Sequence, residues 1–417
     1  MRRLYTLLLY ALLPGVLLRL AWRARREPAY LAHLLERFGH HPGAPDRPVI
    51  WIHAVSVGET RAAAPLIQAL RRCHPDHSIL LTHMTPTGRA TGRQLYGDTV
   101  LQAYCPYDYP FAIRAFLRHV RPRLALIMET EVWPNLVAAC RKAGVPVWLV
   151  NARLSERSAR RYQRFGPLSR ATFAALTGVA AQTEADAARL KALGAKHVVV
   201  TGNLKFDITP PAEAERHACA LRQRLGGRPV LLAASTREGE EAQLLDALAL
   251  CAVPDLLVVI VPRHPQRFDE VAALLARRGI PFQRRSEDAP LASHTRVLLG
   301  DSMGEMFAYY GAADVAIMGG SLLPHGGQNL IEACAMGTPV ILGPHTFNFA
   351  QAAQDALAAG AALRVGDAGE AVRAACRLLG DPKRRAAMGQ AGRQFAAAHR
   401  GATERTLAAI EASQGRG

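Results

Sequence analysis

Paired cysteines are missing. The seven cysteines (Cys73, Cys105, Cys140, Cys219, Cys251, Cys334 and Cys376) are scattered without a CxxC or a paired spacing. Neither a zinc site nor a disulfide framework is indicated, and a reducing compartment fits best. The chain contains no internal repeat, so a repeat array is not expected, and no low-complexity segment beyond the Ala-rich stretches after Gln351. Acidic residues are in deficit, 34 Asp+Glu against 51 Lys+Arg, for a formal charge of +17. That balance calls for a polyanionic partner: nucleic acid, an acidic membrane or a phosphorylated substrate. What the chain has in quantity is apolar content, 50% of 417 residues, enough for two or three domains with sizeable cores.

The N-terminus bears on the partner. Residues 4 to 18 form an uncharged run, LYTLLLYALLPGVLL, interrupted by Pro14 and Gly15 and shorter than the ~20 residues of a spanning helix. With Arg19 snorkelling, the segment reaches Trp22, so a tilted signal-anchor and a helix lying in the interface are both open, beside a buried soluble helix. Arg19, Arg23, Arg25 and Arg26 form a basic collar that would keep the succeeding domain in the cytoplasm. No small-x-small cleavage site precedes the collar. Membrane attachment through residues 1–27 is the expectation.

Beyond the collar, short apolar runs alternate with helical stretches. The runs 49–54, 79–83, 124–128, 145–150, 179–182 and 198–201 read as buried parallel strands, and 61–72 and 134–143 as helices. A linker is expected over 206–228, signalled by GNLKFDITPP at 202–211. The pattern then restarts, with strands at 230–234, 256–261, 296–299, 314–318 and 338–342. The expected fold is therefore α/β, two Rossmann-like domains (28–205 and 229–417, the latter ending in helices) facing a cleft at the carboxyl ends of their strands.

The chemistry falls at those carboxyl ends. Glu59, in SVGET after the first strand, can serve as a general base toward an acceptor hydroxyl. The same spacing suits an ordinary glutamate in a helix's first turn, worth ~0.3–1 kcal/mol against the dipole. NARLSERSARRYQRF, after the fourth strand, carries Arg153, Arg157, Arg160 and Arg161, forked groups suited to the phosphates of an anionic lipid; a solvated helix face is the plain alternative. In the second half, GGSLLPHGGQNLIEACAMGTPVILG at 319–343 reads as a glycine-rich loop feeding a helix from Asn329 to Met336. Arg263, the Gly304 backbone, Asn329 and Glu332 are expected on one edge, Arg263 toward a leaving phosphate and Glu332 toward a sugar diol. No Asp-x-Asp pair occurs, so a metal of the kind many sugar transferases use is not expected.

The N-terminal segment, SVGET, HMTPTG, ETEVWPN, NARLSERS, GNLKFD, PRHPQRF and GGSLLPHGGQNLIEA together resemble the 3-deoxy-D-manno-octulosonic acid (Kdo) transferases of lipopolysaccharide synthesis, over nearly the whole chain. The resemblance implies a GT-B glycosyltransferase fold with 28–205 binding the acceptor and 229–417 the nucleotide sugar. It implies CMP-Kdo as donor, a lipid A precursor (lipid IVA) as acceptor, and inverting transfer without a cofactor or essential metal. It places the enzyme at the inner membrane, catalytic domains on the cytoplasmic side, with no nucleic-acid partner. The family's base falls on Glu59, and its CMP-contacting positions on Pro262, Arg263, Met303, Gly304, Glu305, Asn329, Leu330, Ile331 and Glu332. Two other readings stand beside it: a GT-B-like sugar-nucleotide epimerase, and a non-catalytic nucleotide-binding membrane adaptor.

Overall fold

The structure, a computed structural model, describes residues 1–41, 46–207, 210–249 and 251–414. The chain forms two compact units, Met1–Asp207 with Arg400–Gly417, and Ile208–His399.

In the first unit, strands β1 (Val49–His53), β2 (Ser78–His83), β3 (Leu101–Tyr104), β4 (Pro122–Met128), β5 (Val147–Ala152), β6 (Gly178–Ala181) and β7 (Val198–Val200) build one parallel sheet in the order β3-β2-β1-β4-β5-β6-β7. The near-continuous apolar strands are explained by burial on both faces. Val49 and Trp51 point into one core with Phe116, Ile127 and Leu149, while Ile50 and Ile52 point into the other with Leu66 and Leu126. Helix starts are specified locally by capping side chains at Ser56, Thr85, Ser155 and Thr183 and by prolines at 110 and 134, whose missing N–H is harmless there.

The second unit repeats the plan. Strands β8 (Val230–Thr236), β9 (Leu257–Pro262), β10 (Phe282–Arg284), β11 (Val297–Leu299), β12 (Val315–Met318), β13 (Val340–Leu342) and β14 (Ala362–Arg364) are all parallel, in the order β10-β11-β9-β8-β12-β13-β14. Strand order reverses between β1 and β4 in one sheet and between β8 and β12 in the other. A doubly wound sheet opens a crevice at the carboxyl end of such a reversal. The SVGET loop leaves β1, and the glycine-rich loop leaves β12.

The α/β class with two Rossmann-like units is as expected; the details differ in four places. Strands β3, β10 and β14 were not expected; all three are sheet edges, and LQAY, FQR and ALR are too short and polar to register as apolar runs. The stretch 206–228 is not merely a linker. It contains a helix, Ala214–Arg224, whose Ala218 packs tightly against Gly311, although Ile208 and Thr209 lie outside the described residues. The chain's last helix, Ala402–Gln414, belongs to the first unit rather than closing the second. Asp207 draws it back, its carboxylate accepting from the N–H groups of Gly401 (2.6 Å), Ala402 (3.0 Å) and Thr403. Finally, Cys251 and Cys376 form a disulfide, a pairing that cysteines 125 positions apart do not advertise in sequence.

Pro14 and Gly15 do not break the N-terminal helix, which runs from Arg2 to Arg26. It is long and apolar enough to cross a membrane. Its Leu4, Leu7, Leu8, Leu12, Leu18 and Trp22 are exposed.

Candidate active site

The loop after β1 places Glu59 in the first turn of the helix Val57–Ala62, with Ser56 as its cap. The Ser56 hydroxyl accepts from the Glu59 N–H (3.2 Å) and donates to Glu59 Oε1 (3.0 Å), while the Val55 N–H donates to Oε2 (2.8 Å). This is close to a capping box, so the plain reading of Glu59 is realised in the resting geometry. The same residue also has the electrostatics of a base. Its side chain is 9% exposed, and burial pushes its pKa up to about 7, with the Val55 and Ser56 hydrogen bonds opposing and the charges of Glu129 and Glu131 assisting. A carboxylate poised near neutrality can both hold and release a proton under working conditions.

Two neighbouring strand ends carry backbone strain. Glu129 after β4 and Asn151 in β5 adopt φ of +55° and +52°, a region L side chains avoid unless held there. The holding groups come from GNLKFD. Asn151 Oδ1, fully buried, accepts from the Leu204 N–H (3.0 Å), and Glu129 pairs with Lys205 (3.6 Å). That motif, taken in sequence as the start of a linker, therefore braces the loops beside Glu59. Below them His53 and His83 are buried, and desolvation lowers their pKa values to about 3 and about 4. Both are therefore held neutral at pH 7.

The arginine stretch forms the helix Glu156–Arg164, fastened to the same edge by the Tyr162 hydroxyl, which donates to Thr130 O (3.2 Å). Arg157, Arg160, Arg161 and Arg164, with Ser155 and Glu156, line a cavity of about 670 Å³. Arg160 is 3.5 Å from Glu156; Arg157, Arg161 and Arg164 have no acidic partner among the described residues. Arg153 is exposed just after β5 but is not part of this lining. The N-terminal helix reaches the same edge. The Tyr5 hydroxyl donates to Asp108 (2.9 Å), that of Thr6 to Asn135 (3.1 Å), and that of Tyr109 to Leu9 O (3.1 Å); Asp108 and Tyr109 lie in the loop after β3, and Asn135 in the first turn of the helix after β4.

In the second unit the glycine-rich loop passes so close to β8 that a Cβ on Gly319 would stand 2.3 Å from Ser235 O, and Gly320, Gly326 and Gly327 take φ of +68°, +92° and +77°. The helix after this loop is Ile331–Met336, starting two residues later than the spacing predicts. Asn329 is the reason: its Oδ1 accepts from the Ile331 N–H (3.1 Å), forming a turn, while its Nδ2 donates to Glu332 Oε1 (3.2 Å). Burial raises the Glu332 pKa, with Asn329 and the Arg263 charge opposing. Arg263 donates from Nε to Gln328 Oε1 (3.1 Å) and from its backbone N–H to Thr236 O (3.0 Å).

Arg263, Gln328, Asn329 and Glu332 thus form one group. Pro262 ends β9 beside them. Leu330 and Ile331 are only 1% exposed, the Ile331 N–H being engaged by Asn329 and the Leu330 carbonyl by the Cys334 N–H, so both residues belong to the core beneath the loop. Met303 is exposed, Gly304 has φ +82°, and Glu305 is engaged by Arg285 (3.0 Å). Sequence reading missed Gln328, which bridges loop to arginine, and Glu240 and Glu241, which look like an ordinary acidic helix start.

The family described as 3-deoxy-D-manno-octulosonic-acid transferase (kdotransferase) matches residues 32–208, and that of glycosyl transferases group 1 matches residues 242–395. A 3-deoxy-D-manno-octulosonic acid transferase of Bordetella pertussis is 50% identical, covering 98% of this chain and 99% of the relative. Its namesake in Haemophilus influenzae is 38% identical over 97% of each. Among solved structures, Anabaena Alr3699/HepE in complex with UDP superposes with a TM-score of 0.57 at 16% identity, covering 88% of this chain and 100% of that one. That last likeness is one of fold.

Proposed function

Because the chain belongs to the 3-deoxy-D-manno-octulosonic acid (Kdo) transferase family, we propose that it is an inverting glycosyltransferase moving Kdo from CMP-Kdo to a lipid A precursor, lipid IVA, with Glu59 as general base. The class is secure from the family: a glycosyltransferase of lipopolysaccharide biosynthesis with a GT-B fold. What supports the mechanism is one observation above others, a buried carboxylate at the strand-order reversal whose pKa is raised to about 7.

In this reading Glu59 takes the proton of the acceptor's primary hydroxyl as its oxygen attacks the anomeric carbon of Kdo. The bond from that carbon to the CMP phosphate oxygen breaks on the opposite face, and CMP leaves with the bonding pair. Arg263 neutralises the departing phosphate, Glu332 and Asn329 hold the ribose hydroxyls, and the Pro262, Met303–Glu305 and Leu330–Ile331 segments complete the donor pocket. Arg153, Arg157, Arg160 and Arg161 hold the acceptor phosphates. Acceptor binding is assigned to the first unit and the nucleotide sugar to the second.

The N-terminal helix attaches the enzyme to the inner membrane, its collar keeping the catalytic units cytoplasmic. Its hydrogen bonds to Asp108, Asn135 and Tyr109 tie its first turns to the segments after β3 and β4, on the sheet edge that bears Glu59. An epimerase would have no use for that juxtaposition or for the arginine-lined cavity, and a membrane adaptor would tolerate replacement of Glu59 without loss of activity in cells. Calorimetry tests the donor: CMP should bind more tightly than UMP, and preference for the uridine nucleotide would overturn the donor assignment.

The acceptor side carries two expected outcomes. Below pH 7 the rate constant kcat/KM should fall about tenfold per pH unit, because the base must be ionised, and it should level off above pH 7; a flat profile between pH 5.5 and 8 contradicts this. Replacing Arg157, Arg160 and Arg161 together by Ala should raise KM for the phosphorylated lipid by about tenfold or more with kcat little changed, and should weaken the salt dependence of that KM.

A further inference from the structure

Glu240 is the first residue of the helix Glu240–Leu248 and is fully buried, with no cationic partner among the described residues. Its Oε2 accepts from the backbone N–H groups of Gly320 (2.6 Å) and Arg237 (2.8 Å), and its Oε1 from those of Leu322 (3.0 Å) and Leu323 (3.4 Å). Four donors converge from the loops after β8 and β12, the two strands that flank the order reversal. A buried carboxylate is tolerated only when so satisfied. Because every partner donates, a carboxamide cannot replace it without setting an NH₂ against N–H groups.

The adjacent Glu241 accepts from Arg267 (2.6 and 3.0 Å) and from the Thr236 hydroxyl (2.6 Å), tying β8 to the turn after β9 that carries Arg263. The contact between Arg263 and Gln328 closes the circuit back to the glycine-rich loop. The loops after β8, β9 and β12 are therefore fixed to one another within the protein itself.

We propose that Glu240 is a positioning residue for the transfer reaction: its carboxylate holds the Gly319–Leu323 loop in its donor-binding shape before the nucleotide sugar arrives. The inference rests on the reading of this unit as the donor-binding one. Preset geometry of this kind spares the ligand the entropy of ordering the loop, which otherwise weakens its binding.

The test uses the full chain. In folded Glu240→Gln, CMP should bind about tenfold more weakly, and KM for CMP-Kdo should rise while KM for the lipid acceptor stays unchanged. A merely structural glutamate would lower Tm and leave that split unmoved, and unchanged CMP affinity in the folded variant overturns the proposal. Amide hydrogen exchange on the wild-type chain decides the matter even if the variant does not fold. The Gly320, Leu322 and Leu323 amides should be protected without CMP and gain nothing from it; fast exchange that only CMP suppresses would overturn the proposal. Failure of the wild-type chain to bind CMP would overturn the donor reading and the donor role of Glu240 with it, and is told apart because the protection of these amides in the absence of CMP is read without any ligand.

Discussion

Glu59→Gln should lose transfer by about 10²–10⁴-fold and keep its affinity for CMP. The substitution is nearly isosteric. A carboxamide oxygen can still accept from the Val55 N–H at the position Oε2 occupies, so the loop after β1 keeps its shape. What disappears is the capacity to take a proton from the acceptor. The variant should also lose the ascending limb of the pH profile, since the group that titrates near pH 7 is gone. Glu129 and Glu131 are close enough to perturb Glu59 electrostatically, yet Glu129 is paired with Lys205 and Glu131 accepts from the Trp133 indole (3.1 Å). Neither is placed to take over the role. Substantial residual transfer by Glu59→Gln would mean that the base lies elsewhere.

Arg263→Ala should cost about 10²–10³-fold in kcat/KM, the range found when a single preorganised donor to a developing negative charge is removed. The loss is compound. The guanidinium proposed to neutralise the leaving phosphate is removed, and so is its bridge to Gln328 in the glycine-rich loop. A third effect comes from the sign of the electrostatics: the Arg263 charge holds the Glu332 pKa down against burial, so without it Glu332 is protonated over a wider pH range. The defect should therefore deepen as pH falls. Arg263→Lys should recover part of the rate, because it restores charge but not the fork. Kinetics with CMP-Kdo as the varied substrate provide the check.

The central strands were legible because burial on both faces writes an apolar run, as in VIWIH or VLLAA, whereas the edge strands β3, β10 and β14 carry no such run. Glu59 was legible as a candidate but not as a choice. S-x-x-E is the signature of a helix start, and in the structure it is one; the property that separates base from cap is desolvation, which depends on residues far along the chain. The brace on Asn151 comes from Leu204, 53 positions away, and the brace on Gly320 from Glu240, 80 positions away. Such long-range pairings of polar groups leave no local pattern, so GNLKFD reads as a linker and Glu240 goes unremarked. The return of residues 400–417 to the first unit was hidden for the same reason, its anchor being the carboxylate of Asp207.

The most direct measurement is mass spectrometry of a bisphosphorylated tetraacyl lipid after incubation with CMP-Kdo and either the wild-type chain or Glu59→Gln at pH 8. The account predicts lipid heavier by whole Kdo units with the wild type and unshifted lipid with the variant, both proteins binding CMP equally. Kdo-bearing lipid in comparable yield from the variant would contradict it.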